Sequence, residues 1–268
     1  MKNAFSLVEL SIVLVILGLL TGGILGGQAL IRAAELRSVT TEYQRWVTAT
    51  QTFRDKYFAL PGDMTNATRF WGALDGNNGI ASDCRGESNT LLTCNGDGNG
   101  LIQGYVTSAS FTHENFLFWQ HLANAGLIEG KYSGNFGQFP GNTICTGTDH
   151  VPGCNVPLSK ISRGFWFSTY GGTSSGSTDL FDGNYDNLFA LSNNITWTGG
   201  QFQGNLLRAE EAWNIDTKLD DGKPGLGSMV ASRWGACTTA ANSADISNAA
   251  YRLNTSTQIC MPIMRNAF

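Results

Sequence analysis

Several groups of residues in this chain have types and spacings suited to chemistry. A lone carboxylate, Glu9, sits in an apolar run that begins Phe5-Ser6-Leu7-Val8 and continues to Ile31. The stretch Asn95-Gly96-Asp97-Gly98-Asn99-Gly100-Leu101-Ile102 carries oxygen donors at steps of two, then glycine, then an apolar residue. Gly172-Thr173-Ser174-Ser175-Gly176 has the letters G-x-S-x-G. Three histidines (His113, His121, His150) and six cysteines complete the set.

The second group is the front half of a calcium loop. Where that loop ends in a bidentate glutamate, this chain has Val106. The nearby turn Asp75-Gly76-Asn77-Asn78-Gly79 supplies further oxygens. Asn95, Asp97, Asn99 and Asp75 are thus the candidate ligands, and Ca2+ the candidate cofactor. The alternative is an Asn/Asp/Gly turn that binds nothing. The G-x-S-x-G letters need a strand, a sharp turn and a helix to make a nucleophile. Here Ser177-Thr178-Asp179 continues as loop, so no hydrolase is expected. The histidines have no HExxH spacing, so they read as structural or surface residues. Asp216, Asp220 and Asp221 read as part of a solvated, capped turn before Gly222-Lys223-Pro224-Gly225, with cation binding by these carboxylates as the alternative.

Cys84, Cys94, Cys145, Cys154, Cys237 and Cys260 form an even set without CxxC, which suits disulfides in an oxidising compartment. Pairing sequence neighbours gives 84–94, 145–154 and 237–260. With 268 residues and a net charge of −4, one large domain plus an extension is expected, with no basic excess for nucleic acid.

The extension is the N-terminus. Leu10 to Ile31 carries no charge, and as a helix it reaches about 33 Å, enough to span hydrocarbon. Lys2 keeps the start cytoplasmic and everything after Ile31 is exported. A carboxylate costs ~2.5–3.5 kcal/mol at the bilayer centre and less near the interface. An ordinary anchor has no use for Glu9. It makes sense if a positive group pairs with it during assembly.

Ala4-Phe5-Ser6-Leu7-Val8-Glu9-Leu10 followed by an apolar helix resembles the N-terminus of type IV pilins and type II secretion pseudopilins. The resemblance covers about Ala4 to Leu36. It implies cleavage by a prepilin peptidase between Ala4 and Phe5 and methylation of the new N-terminus. It also implies pairing of Glu9 with the N-terminal amine of a neighbouring subunit. The family usually has glycine before the cut, where this chain has Ala4. Ala212 to Gly225 resembles a segment of large pilin-like proteins of Gram-negative bacteria. Gly18, Gly22, Gly23, Gly26 and Gly27 suit close helix packing or a segment that unwinds on leaving the bilayer.

Beyond Arg32 the chain turns amphipathic. Leu36, Val39, Tyr43, Trp46, Val47, Thr50, Phe53 and Tyr57 make a helical stripe, with Glu42 and other charges between them. One helix of about 80 Å is expected from Phe5 to Phe58, stopped by Leu60-Pro61-Gly62. In the head, helices are expected over 112–125 and 208–219. Strands are expected over 164–170, 187–191 and 229–234, with a short helical turn over 66–71.

The expected architecture is α+β and pilin-like. A leader occupies residues 1–4, a transmembrane and filament-core helix 5–31, and the amphipathic half of the same helix 32–60. Residues 61–268 form a periplasmic or extracellular head with a small antiparallel sheet and disulfide-closed loops. The expected role is a structural, non-enzymatic subunit of a type IV pilus-like filament. Its partners are copies of itself or related pilins, the prepilin peptidase and an inner-membrane assembly platform. The alternatives are a type II secretion pseudopilin and a filament-tip adhesin.

Overall fold

The computed structural model describes residues 7–74, 88–104, 106–107, 110–111, 113–135, 143–146, 148–196, 202, 204–232 and 236–268. Ala4, Phe5, Asp75 and Cys84 lie outside the described residues. Helix α1 (Leu7–Tyr57) runs 51 residues without interruption. The five glycines near its start do not break it, because each meets its backbone geometry at only an entropic cost. It ends one residue earlier than expected. Phe58 adopts a left-handed φ of 53° and its N–H donates to the Arg54 carbonyl at 2.8 Å, capping the last turn before Leu60-Pro61.

The short helix α2 (Thr68–Trp71) follows, then the two-residue strands β1 (Val106–Thr107) and β2 (Ser110–Phe111), which pair with each other. Helix α3 (Glu114–Asn124) comes next. Its C-terminus closes as a Schellman turn: Gly126, at φ 71°, donates to Ala123, and Leu127 donates to Leu122. The sequence gives α3 one apolar face, yet it is buried all round from Glu114 to Leu122. Its polar side chains find partners inside. Gln120 accepts from the Thr93 hydroxyl and donates to the Leu92 and Ser133 carbonyls.

Strands β3 (Phe165–Tyr170), β6 (Asn187–Ser192), β7 (Met229–Ala231) and β8 (Pro262–Met264) form an antiparallel sheet in the order β3-β6-β8-β7. Between β3 and β6 a second small ribbon pairs β4 (Thr173–Ser174) with β5 (Gly183–Asn184). The G-x-S-x-G letters therefore lie on this ribbon, with no helix behind the serine. Helix α4 (Ala209–Leu219) packs on α1 and β7. Alternation along β3 sorts its side chains. Trp166 faces α1, while Phe165 and Phe167 meet His150 and Phe167 also meets Phe202.

The core sits where α1, α3 and the sheet meet. Trp46 of α1 packs edge-on against Trp119 of α3, with ring centroids 5.3 Å apart. Phe189 of β6 touches Tyr43, Phe118 and the C-terminal Phe268. The apolar stripe of α1 is the covered face, as its spacing implies. Glu42 departs from the sequence reading. It is buried rather than solvated, and its carboxylate accepts from Ser159 Oγ (2.7 Å), Lys160 N (2.8 Å) and Trp166 Nε1 (2.7 Å). A charge buried this way is tolerated because three donors replace its water.

Candidate functional site

Three regions hold the candidate functional residues: the exposed half of α1, the neck where that half enters the head, and an acidic loop at the far end.

Every large apolar side chain from Leu7 to Ile31 is 51–84 % exposed, while core side chains of the head are at most 8 % exposed. An apolar surface this large on a soluble monomer calls for a cover. The segment is long and apolar enough to cross a membrane. Glu9 stands in the first turn of α1, where its charge complements the helix dipole. A Cβ added at Gly18, Gly22, Gly23, Gly26 or Gly27 meets nothing within 4 Å. Among the described residues, nothing in this chain's own fold requires glycine at those five positions.

The neck begins at Arg32, the first charge after the apolar run. Its guanidinium donates through Nε and a terminal nitrogen to both oxygens of Glu211, each at 2.7 Å, and through the other to Glu35 at 2.8 Å. Glu211 also accepts from the Arg208 backbone N–H and guanidinium, closing a capping box at the start of α4. Burial works to raise Glu211, but the hydrogen bonds from Arg32 and Arg208 prevail and bring it down to about 2. The two-pronged contact fixes α4 to α1 directly above the apolar segment.

The acidic loop assembles residues that the sequence pattern only partly names. Asp97 does join a carboxylate cluster, but its partners are Asp63 and Glu114, with oxygens within 4.8 Å of one another. Asn95 and Asn99 serve as turn builders: Asn95 Oδ1 accepts from Thr68 N and Asn99 Oδ1 from Leu101 N. Asp63 accepts from the backbone of Gly98 (2.6 Å), Asn99 (3.1 Å) and Gly100 (2.8 Å). Glu114 accepts from Asp97 N (3.0 Å) and Gln103 N (2.9 Å). Two buried carboxylates thus wrap the loop around themselves through five backbone amides. Burial pushes Glu114 up to about 7, against the pull of those amides and with help from the Asp97 and Asp63 charges. Burial also raises Asp63. Three oxygen ligands of this kind suit a hard divalent cation such as calcium. The cluster borders a cleft of about 850 Å³, lined by Asp63, Gly98, Gly100, Phe58 and Phe268. Asp63, just past Pro61-Gly62, and Glu114, opening α3, were visible as carboxylates. Their convergence depends on the fold. Gly62 makes it possible, because a Cβ there would stand 2.4 Å from the Glu114 carbonyl oxygen.

The remaining candidates are placed as follows. Cys145 bonds to Cys154 and Cys237 to Cys260. Cys94 is also disulfide-bonded. His121 is buried: its Nδ1 accepts from Gly62 N at 2.9 Å and its Nε2 lies by Thr93 and Cys94. His150 is enclosed by Phe116, Phe165 and Phe167. Burial lowers His121 to about 4 and His150 to about 3, so both are neutral structural residues. Asp216 is not solvated as its turn suggests. It is buried, receives a 2.8 Å hydrogen bond from Tyr251 Oη, and burial raises it to about 7.

No family model, no curated protein and no solved structure matches this chain.

Proposed function

We propose that this chain is a structural subunit of a type IV pilus-like filament. In this reading the prepilin peptidase cuts between Ala4 and Phe5. The subunit then waits in the inner membrane on residues 10–31 and enters the filament by packing that helix against its neighbours. The carrying observation is the exposed apolar half of α1, joined without a break to a folded head and bearing a carboxylate in its first turn. Glu9 pairs with the freed N-terminal amine of the adjacent subunit. That pairing offsets the cost of bringing an ionised side chain into an apolar core. The head contributes packing and surface, and the chain catalyses nothing.

The test is Glu9→Ala. The variant should remain in the membrane at wild-type level and be missing from sheared fibres. Normal incorporation of Glu9→Ala would sink the assembly role. Immunogold labelling with antibody to the head places the filament outside the cell for a pilus and within the periplasm for a secretion pseudopilus.

A further inference from the structure

Helix α1 passes from the apolar segment into the head with no break, so it serves as a ruler for height above Ile31 at ~1.5 Å per residue. Helix α4 packs against it. Glu211, near the start of α4, binds Arg32, the residue that follows Ile31. The start of α4 therefore faces the membrane.

The sheet is oriented by its two ends. Tyr170 N donates to Ile102 O and Asn187 Oδ1 accepts from Ile102 N, which ties that end to the loop held by Asp63 beyond the tip of α1. The other end, Phe165 and Ser192, is the lower one. The turn 159–164 hangs from it, with the Lys160 N–H on Glu42, about 16 Å above Ile31. Arg37, Lys160 and Arg163 are exposed at this end, and Arg208 is partly exposed. Leu158 and Ile195 are exposed beside them. Of the acidic groups here, Glu35 is held by Arg32 and Glu211 by Arg32 and Arg208, while Asp149, adjoining the Ile195 segment, is partly exposed and Glu210 is exposed.

On the reading that residues 10–31 lie in a bilayer, we propose that this lower end of the head is a docking surface for anionic phospholipid headgroups. Arg37, Lys160 and Arg163 face the phosphates and supply the attraction. The headgroup layer extends about 5–8 Å beyond the hydrocarbon. Arg37 stands about 9 Å above Ile31 on the α1 ruler. Electrostatic attraction persists over about 8–10 Å at physiological salt, so basic side chains at these heights feel an anionic surface. The docked state holds the head upright and close to the membrane before assembly.

The test uses the full chain in nanodiscs, one set of phosphatidylcholine and one with about one third phosphatidylglycerol, giving the anionic surface that basic residues sense. A spin label at Ser162→Cys reports its distance to gadolinium-labelled headgroups. Proximity is expected only with phosphatidylglycerol. The double variant Lys160→Gln, Arg163→Gln should release the label, by roughly fivefold in docked population per charge removed. High salt should release it as well. Equal proximity in both lipids, or a double variant that behaves as wild type, overturns the proposal. Alkaline extraction runs alongside. A chain that resists extraction but shows no headgroup contact overturns the docking alone. A chain that extracts overturns the membrane span and the docking with it.

Discussion

The residues that organise the head are carboxylates placed where a pattern of charges assigns them to water. Glu42 sits mid-stripe in α1 and joins β3 and its preceding turn through three hydrogen bonds. Its partners are Ser159, Lys160 and Trp166, more than a hundred residues away, and no local spacing announces them. Removing one side of a buried pair leaves the donors unsatisfied, each costing about 1–3 kcal/mol. Glu42→Ala is therefore expected to lose at least about 3 kcal/mol in denaturant unfolding of the full chain in detergent. Trp166→Phe, which removes one donor and keeps the ring, should lose less. Equal stability of Glu42→Ala and wild type would contradict the latch.

Glu114 gives a pH signature. Its folded value, about 7, lies above its ordinary 4.5, so its contribution is fully present below 4.5. Between 4.5 and 7 the unfolded chain releases the proton first, and stability falls as pH rises. Above 7 the loss levels off. His113, His121 and His150, all pushed down to about 3–4 by burial, pull the other way below their ordinary 6.5. The informative measurement is thus the difference between wild type and Glu114→Gln. Across pH 4.5 to 7 the wild type should lose stability relative to the variant. A constant difference would remove Glu114 as the titrating group.

Among the elements, the ones with strong periodicity were legible in the sequence. The stripe Val39-Trp46-Phe53 predicts α1, and Phe165–Tyr170 and Asn187–Ser192 pair as two compact β runs should. Strand β8 was not legible, because Pro262 opens it and only three residues follow the ladder. The acidic loop was half legible. Its Asx pattern names Asp97, but Asp63 and Glu114 come from separate elements that only folding brings together. The tie between α1 and α4 was not legible either, since Arg32 reads as a simple boundary charge. Its strength is testable at the scale of the two helices. Arg32→Ala leaves Glu211 to Arg208 alone, and a charge-assisted contact of this kind is worth about 1.5–3 kcal/mol. Hydrogen exchange should quicken in the first turns of α4 and remain slow in β6. Closure of the Cys237–Cys260 loop adds about 3 kcal/mol in the chain-entropy picture, so the double Cys→Ala variant should lose nearly that amount.

At the scale of the whole molecule, the chain divides into a head with a packed apolar core and a helix end with none. Inside the head, large apolar side chains are packed and the buried carboxylates are hydrogen-bonded. Along residues 7–31, apolar side chains face outward and the five glycines have open space around them. That contrast separates two kinds of demand on the sequence. If glycine at 22 and 26 served this chain's own fold, replacing it would destabilise the monomer. Since an added Cβ meets nothing there, Gly22→Ala and Gly26→Ala should strengthen the helix by about 0.5–1 kcal/mol each and leave head unfolding unchanged. Larger side chains expose the second demand. On the proposed filament reading, Gly22→Leu should insert and fold like wild type, because lipid accommodates leucine, yet fail to enter filaments where backbones approach closely. Membrane content, head stability and fibre yield measured on the same variant distinguish these cases. Unchanged fibre yield for Gly22→Leu would mean that the helix face bearing Gly22 is turned away from every neighbour.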